Sequence, residues 1–243
     1  HWAARTETEF AAGIPVMRTM AQALKAGGWT VPSQRALTIA ALKNLGEVGF
    51  LYLNSHSAVW GPSGREQFSV MLDDEATLAS ELATHGDLDD GSLMYHRDRT
   101  LWQTLGRGHP PRYAATAKFV TKYLRFSPGS LMIMLSCHSG SAEAAGFQAA
   151  LAAQGLGTLV GWDGNSNPHA YRAVGLLVDR MAGVNRFEPV TPGNRAFNFA
   201  DVCQYLDRNG LTVTPGVNGG AAAPMVRFGS GFTKLAPVVS ALQ

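Results

Sequence analysis

The chain has only two cysteines among its 243 residues, so a disulfide framework is excluded. Neither Cys137 nor Cys203 belongs to a CxxC pair, and a structural zinc site is therefore not expected. Charge is also scarce, with 16% charged residues and a net charge of +2. Because no Lys/Arg cluster forms a basic stripe, no nucleic-acid partner is expected. No apolar run reaches the roughly 18 residues that a membrane span needs.

Phosphate-binding loops are absent as well. Neither GxxxxGK[ST] nor GxGxxG occurs, so the sequence gives no support for a nucleotide cofactor. What the chain does have is apolar residues, at 46% of the total, which is enough to bury a core of its own. Its length fits one domain, or one domain with a small appendage.

Runs of strand-forming residues alternate with amphipathic helical segments along most of the chain. This alternation predicts a three-layer α/β/α domain with a mainly parallel central sheet. The three strands at 50–54, 131–135 and 156–162 are continuously apolar, which indicates burial on both faces. Further predictions are a short strand at 29–31, a helix capped by Ser33, and helices at 14–24, 113–126, 142–154 and 170–181.

The predicted domain covers residues 1–210, without an obvious first strand before Ile14. Residues 60–111 are interpreted as an inserted flap, irregular and rich in Gly and Asp, with weaker strands at 67–72 and 92–95. His85 and His96 in this insertion are expected to be solvated. Residues 211–243 form a Gly/Pro/Ala-rich C-terminal tail, in which an edge strand is expected at 225–228.

Two reactive side chains directly follow strands that are expected to be buried. His56 follows the strand at 50–54, and Cys137 follows the strand at 131–135. In an open parallel sheet, function gathers just past the carboxyl ends of the strands. A cysteine nucleophile and its histidine base are therefore expected to meet there, although 81 positions separate them. The helix after Cys137 favours its thiolate form, because the helix N-terminus carries partial positive charge.

The same segments offer the other groups that acyl transfer needs. The backbone N–H groups of Cys137 and of Ser57 or Ala58 are candidates for an oxyanion hole. Gly140 permits a tight turn or a close approach. Cys203 lies in a predicted amphipathic helix and is interpreted as a core residue. A cysteine phosphatase is rejected, because it needs an Arg six residues after the cysteine, where this chain has Glu143.

The quoted segments resemble a known family. Cys137-His138-Ser139-Gly140 is similar to the Asp-x-Cys-His-Ser-Gly motif of metacaspases, and Ser55-His56 to the Ser-His-Gly motif of caspases. The order, His before Cys, is also that of the caspase-like clan of cysteine peptidases. The chain therefore resembles a bacterial caspase-like peptidase of the CHAT or metacaspase type, over residues 14–183.

This resemblance implies a cysteine endopeptidase that works through a Cys-His dyad and a thioacyl-enzyme. The strand after the Cys helix looks like the one that carries substrate-pocket residues, which nominates Trp162 and Asp163. Leu135 stands where metacaspases carry an Asp for a basic P1 residue, and Ser57 replaces the usual Gly. Asp163 is then the remaining acidic residue that could favour Arg or Lys at P1. In the alternative, Asp163 is only a turn residue, and the pocket is apolar and lined by Leu135.

Because Leu135 and Ser57 differ from the family motif, a second interpretation stays open, in which the chain is a non-catalytic caspase-like module that binds protein partners. No cofactor or metal is expected. Calcium activation through the acidic residues at 73–74, 87 and 89–90 remains an alternative, although they lack EF-hand spacing and are interpreted as solvated. The chain opens with His1 and shows no recognisable secretory signal peptide, so a bacterial cytoplasmic and a secreted location both stay open.

Overall fold

The computed structural model describes residues 2–4, 13–31, 36–61, 66–96, 111–166, 170–186, 197–216 and 220–229. The strands in these ranges are β1 (Trp2–Ala4), β2 (Glu47–Asn54), β3 (Ser57–Trp60), β4 (Gln67–Glu75), β5 (Leu93–His96), β6 (Arg112–Ala115), β7 (Arg125–Leu135), β8 (Thr158–Trp162), β9 (Val213–Thr214) and β10 (Ala223–Phe228). The helices are α1 (Gly13–Ala26), α2 (Ile39–Lys43), α3 (Leu78–Asp89), α4 (Ala117–Tyr123), α5 (Ala145–Ala153), α6 (Ala170–Met181) and α7 (Phe199–Arg208), and a 3-10 turn over Ala142–Ala144 precedes α5.

A six-stranded central sheet has the strand order β1-β2-β7-β8-β10-β9. Its first four strands are parallel, whereas β10 runs antiparallel to β8 and to β9. The predicted mainly parallel sheet is therefore confirmed, and the strands before His56 and Cys137, β2 and β7, are neighbours in it. Across that central pair, the register places Phe50 opposite Leu131 and Asn54 opposite Leu135.

Along each central strand, successive side chains point alternately into two cores, one on each face of the sheet. Phe50 and Tyr52 point into the core on one face, while Leu51 and Leu53 point into the core on the other. On the first face, α1, α6 and α7 cover the sheet. On the second face, α2, α4 and α5 share the cover with strands of another sheet. No helix in the described ranges is long and apolar enough to cross a bilayer.

That other sheet corrects the interpretation of residues 60–111 as an irregular flap. It has four antiparallel strands in the order β3-β4-β6-β5, which begin at Ser57 and end at Ala115. The predicted helix at 113–126 is accordingly shorter, because β6 ends at Ala115 and Thr116 caps α4 with its hydroxyl. Phe68, Val70 and Tyr113 of this sheet are buried against the central sheet.

Three further expectations need correction. The first strand of the central sheet is β1, which pairs with β2 through Trp2 and Tyr52. Residues 29–31 form no strand. Ser33 lies outside the described residues, and the helix that follows it along the chain begins at Ile39 with Thr38 as its N-cap.

The C-terminal segment is part of the central sheet. The expected strand at 225–228 is found within β10, but it is not an edge strand, because it lies between β8 and β9. The predicted boundary at residue 210 therefore does not separate the sheet from a tail. Residues 230–243 lie outside the described part of the chain.

Candidate functional site

His56 lies where the chain passes from the central sheet to the second sheet. It stands between Asn54, the last residue of β2, and Ser57, the first residue of β3. Its carbonyl accepts from the Met71 N–H at 2.9 Å, so its backbone already pairs with β4. The preceding Ser55 bonds to both sheets: its N–H donates to the Leu135 carbonyl at 3.3 Å, and its hydroxyl donates to the Met71 carbonyl at 2.6 Å. Both sheets therefore fix the backbone of His56.

Cys137 occupies the corresponding place on the neighbouring strand. Asn54 and Leu135 are the last residue pair of the parallel β2–β7 ladder. His56 and Cys137 each follow two residues later, at the same carboxyl edge of the sheet. The structure thus brings the two predicted catalytic residues to equivalent positions on adjacent strands, and both side chains are half-buried.

The turn that carries Cys137 is bonded to the segment after β8. The His138 N–H donates to the Gly164 carbonyl at 2.7 Å, and the Gly140 N–H donates to the Trp162 carbonyl at 2.9 Å. The Cys137 thiol lies 4.0 Å from the Ser166 carbonyl oxygen. The segment after β8, residues 163–166, therefore contacts the cysteine turn at Gly164 and the thiol at Ser166.

The backbone of this turn is strained at His138, which adopts a φ of +58°. A non-glycine residue in this left-handed region costs free energy, and such strain is common at functional turns. The fully buried Ser139 stabilises the turn from within. Its Oγ lies 2.9 Å from the Met134 carbonyl and 2.8 Å from the Ser136 carbonyl, and it accepts from the Trp162 N–H at 3.1 Å.

The hydroxyl of Ser57 contacts the cysteine turn directly. It donates to the Cys137 carbonyl and accepts from the Ser136 hydroxyl. Sequence reasoning nominated Ser57 only for its backbone N–H, and it treated the side chain as a departure from glycine. The sequence does show a serine instead of a glycine directly after His56. What its hydroxyl contacts becomes visible only once β2 pairs with β7.

The predicted substrate-pocket residues divide into two groups. Leu135 is 3% exposed and Trp162 is fully buried, and both pack in the core beneath α1, α6 and α7. These two side chains offer no surface to a substrate in this structure, which corrects their predicted role as direct contacts. Asp163, in contrast, is exposed, and its N–H donates to the Pro224 carbonyl at 2.9 Å. It begins the segment that borders the Cys137 thiol.

Of the acidic residues considered for calcium, Asp89 and Asp90 are exposed as expected, whereas Asp73 and Asp74 are partly buried and Asp87 is buried. The carboxylates of Asp73 and Asp74 accept from the N–H groups of Leu37 and Ile39, each at 2.7 Å, and thereby fix the start of α2. The part of the chain that the structure describes contains no cluster of three or more His, Cys, Asp or Glu side chains that could hold a metal ion.

Asp87, whose side chain is buried, lies at the centre of a partly exposed charge cluster between α2, α3 and α4. It accepts from Lys43 at 2.5 Å, from Lys122 at 2.7 Å and from the Tyr123 hydroxyl at 2.5 Å. Burial alone would raise the pKa of Asp87, but the hydrogen bonds from Lys122 and Lys43 outweigh it and hold the pKa below its usual value. Asp90 also pairs with Lys122, at 2.6 Å.

His85, His96 and Cys203 lie on other elements than the two segments that carry His56 and Cys137. His85 is exposed on α3, as expected, and pairs with Asp89 at 3.2 Å. His96 is buried rather than solvated, and its ring lies 4.1 Å from that of Trp60. Cys203 is buried on α7, and burial raises the pKa of its thiol. Its predicted place in the core is confirmed.

Comparison of the sequence with models of known protein families and with curated proteins finds no match. Any family assignment therefore rests on the motifs around His56 and Cys137 and on where the fold places them.

Proposed function

We propose that the chain is a cysteine endopeptidase of the caspase-like clan, with Cys137 as nucleophile and His56 as general base and acid. One observation carries the proposal: both residues stand two positions beyond the Asn54–Leu135 pair, on neighbouring parallel strands. The carboxyl edge of such strands is where an α/β sheet presents reactive groups to a ligand. The order His before Cys and the Cys-His-Ser-Gly segment add support from the sequence.

In the proposed reaction, His56 takes the proton of the Cys137 thiol as the sulfur attacks the carbonyl carbon of the scissile peptide bond. The carbonyl π electrons move to oxygen and form a tetrahedral oxyanion. When the C–N bond breaks, imidazolium His56 gives its proton to the departing amine, and a thioester remains. Water, deprotonated by His56, then attacks the thioester carbon, and the sulfur leaves and regains a proton.

The pairing of β3 supports Ser57 as one oxyanion donor. The Met71 N–H bonds to the His56 carbonyl, so His56 and Met71 form a hydrogen-bonded antiparallel pair. Such pairs alternate with non-hydrogen-bonded ones, and the next pair is Ser57 with Val70. The Ser57 N–H then points away from β4, toward the side on which no strand of the described ranges pairs with β3. A backbone donor in this orientation is available to a substrate oxygen.

For specificity we propose that Asp163 favours Arg or Lys at P1. Its exposed carboxylate stands at the start of the segment that borders the thiol, and Leu135 and Trp162 leave that role to it because they are buried. An exposed charge acts through screened electrostatics, so the preference is expected to be moderate.

The alternative is a non-catalytic module with the same fold. A peptidyl acyloxymethyl ketone with Lys at P1 distinguishes the two, because it alkylates a cysteine only when a catalytic dyad activates the thiol. We expect one covalent adduct, at Cys137, and we expect that His56→Ala prevents it. Labelling that is equal in wild type and His56→Ala would favour the non-catalytic module.

A further inference from the structure

The Cys137–His138 peptide unit is held at both of its polar ends. Its carbonyl, which belongs to Cys137, accepts from the Ser57 hydroxyl. Its N–H, which belongs to His138, donates to the Gly164 carbonyl at 2.7 Å. The orientation of this peptide plane is therefore fixed from the His side of the site and from the segment after β8. Since the plane begins at the Cα of Cys137, its orientation also constrains the direction of the Cα–Cβ bond that carries the thiol.

Something must hold this plane, because His138 is in the left-handed region at a φ of +58°. A residue with a Cβ leaves that region when its hydrogen bonds are removed, and the peptide plane before it then rotates. The hydrogen bond from the Ser57 hydroxyl to the Cys137 carbonyl is one of those that oppose this rotation. It is the one that also joins the cysteine turn to the strand start beside His56.

The orientation of the Ser57 hydroxyl is fixed by its two partners. Its single proton is donated to the Cys137 carbonyl, so its oxygen accepts the proton of the Ser136 hydroxyl. Ser57 and Ser136 are both buried, so water does not readily replace either partner. A chain of oriented hydrogen bonds thus runs from the end of β7 through Ser57 and back to the nucleophile.

We infer that Ser57 is a positioning residue whose hydroxyl holds the Cys137 turn in the orientation that brings the thiol to His56. The inference rests on the proposed peptidase function and deepens it. A glycine at this position would offer only its backbone N–H. The Ser57 side chain adds a hydrogen bond that joins the segment of His56 to the turn of Cys137.

The test compares Ser57→Ala with Ser57→Thr, which keeps the hydroxyl. We expect Ser57→Ala to lower kcat on a fluorogenic peptide by roughly tenfold to a hundredfold with little change in KM, because misorientation affects the reacting thiol more than substrate binding. Ser57→Thr should recover most of kcat. Alkylation of Cys137 by iodoacetamide at neutral pH should slow by about fivefold in Ser57→Ala, because a thiol turned away from His56 is less ionised.

A matched control is Thr116→Val, which removes another buried hydroxyl that donates to a backbone carbonyl, that of Gly91 at 2.8 Å. Thr116 precedes α4 rather than the cysteine turn, so this variant should lower Tm without slowing alkylation of Cys137. A Ser57→Ala variant with wild-type kcat and alkylation rate would overturn the inference. The inference would also be overturned if Ser57→Ala lowered kcat no more than Thr116→Val does when the two variants have the same Tm. If the wild type hydrolyses no peptide, the proposed function fails, and the alkylation rates alone decide the role of Ser57.

Discussion

Gly140 lies so close to the backbone of Trp162 that a side chain there would fit only if its neighbours moved. Its N–H donates to the Trp162 carbonyl at 2.9 Å, and a Cβ at Gly140 would lie 3.0 Å from the Trp162 backbone N and C atoms and from the Val226 Cβ. The glycine of the Cys-His-Ser-Gly segment is thus required for close approach between the cysteine turn and β8. The neighbouring atoms belong to backbone and to a β-branched side chain, which have little freedom to move away.

We therefore predict that Gly140→Ala destabilises the protein by about 1–3 kcal/mol, as overpacking of a well-packed site does. Urea unfolding measures this free energy. Gly146→Ala on α5 is the matched control, because a Cβ there meets nothing within 4 Å and Ala is the better helix former. It should leave stability unchanged or raise it by up to about 1 kcal/mol. Equal effects of the two substitutions would contradict the close-approach explanation.

The Asp87 cluster predicts a pH dependence of stability. Because the folded-state pKa of Asp87 is lowered, its ionised form stabilises the fold at pH values above the unfolded pKa of about 3.9. This contribution is lost as the pH falls through the folded pKa. Asp87→Asn should thus lower the free energy of unfolding by on the order of 2 kcal/mol at neutral pH, since it leaves two lysines without their shared carboxylate.

The check is urea unfolding between pH 7 and pH 3. The difference between wild type and Asp87→Asn should be constant from pH 7 to about pH 5 and should shrink below about pH 4. Asp89→Asn provides the control, because Asp89 is exposed and pairs only with the exposed His85 among the contacts described. Its effect should stay within about 0.5 kcal/mol. A difference for Asp87→Asn that grows toward low pH would show that the sign is wrong.

The proposed specificity predicts a selective effect of Asp163→Ala. On four peptides that differ only in Arg, Lys, Asp or Leu at P1, the wild type should prefer Arg and Lys. The substitution should lower kcat/KM for these two by about twofold to fivefold, in line with an exposed charge pair, and leave the Leu substrate unchanged. An unchanged kcat/KM for the basic substrates would assign Asp163 to the turn after β8 alone.

The sequence alone predicted the strands that precede His56 and Cys137. Residues 50–53 of β2, residues 131–135 of β7 and all of β8 are buried on both faces, so each is a continuous apolar run that is visible without tertiary context. That His56 and Cys137 lie at the same edge could be predicted because parallel strands present their carboxyl ends at one edge. Leu135 lies on the same face of its strand as Leu131 and Ile133 and therefore faces the core, whereas the resemblance to the metacaspase motif assigned it to the substrate pocket.

Long-range pairing explains what the sequence did not reveal. β1 has three residues and β3 has four, too few for a periodic pattern to emerge. The start of α2 depends on carboxylates of Asp73 and Asp74, which lie about 35 residues away and bond to backbone N–H groups there. The Ser57 hydroxyl likewise reaches Cys137 only because two strands pair in a particular register.

The most direct test of the central claim is peptide hydrolysis by matched cysteine variants. A fluorogenic peptide library, screened with and without calcium, supplies the substrate, and kcat/KM is then compared for wild type, Cys137→Ala and Cys203→Ala. Cys137→Ala is expected to abolish hydrolysis, because the attacking sulfur is gone. Cys203→Ala should retain most of it, because this thiol is buried on α7. Hydrolysis that persists in Cys137→Ala, or equal loss in both variants, would contradict the assignment of Cys137 as the nucleophile.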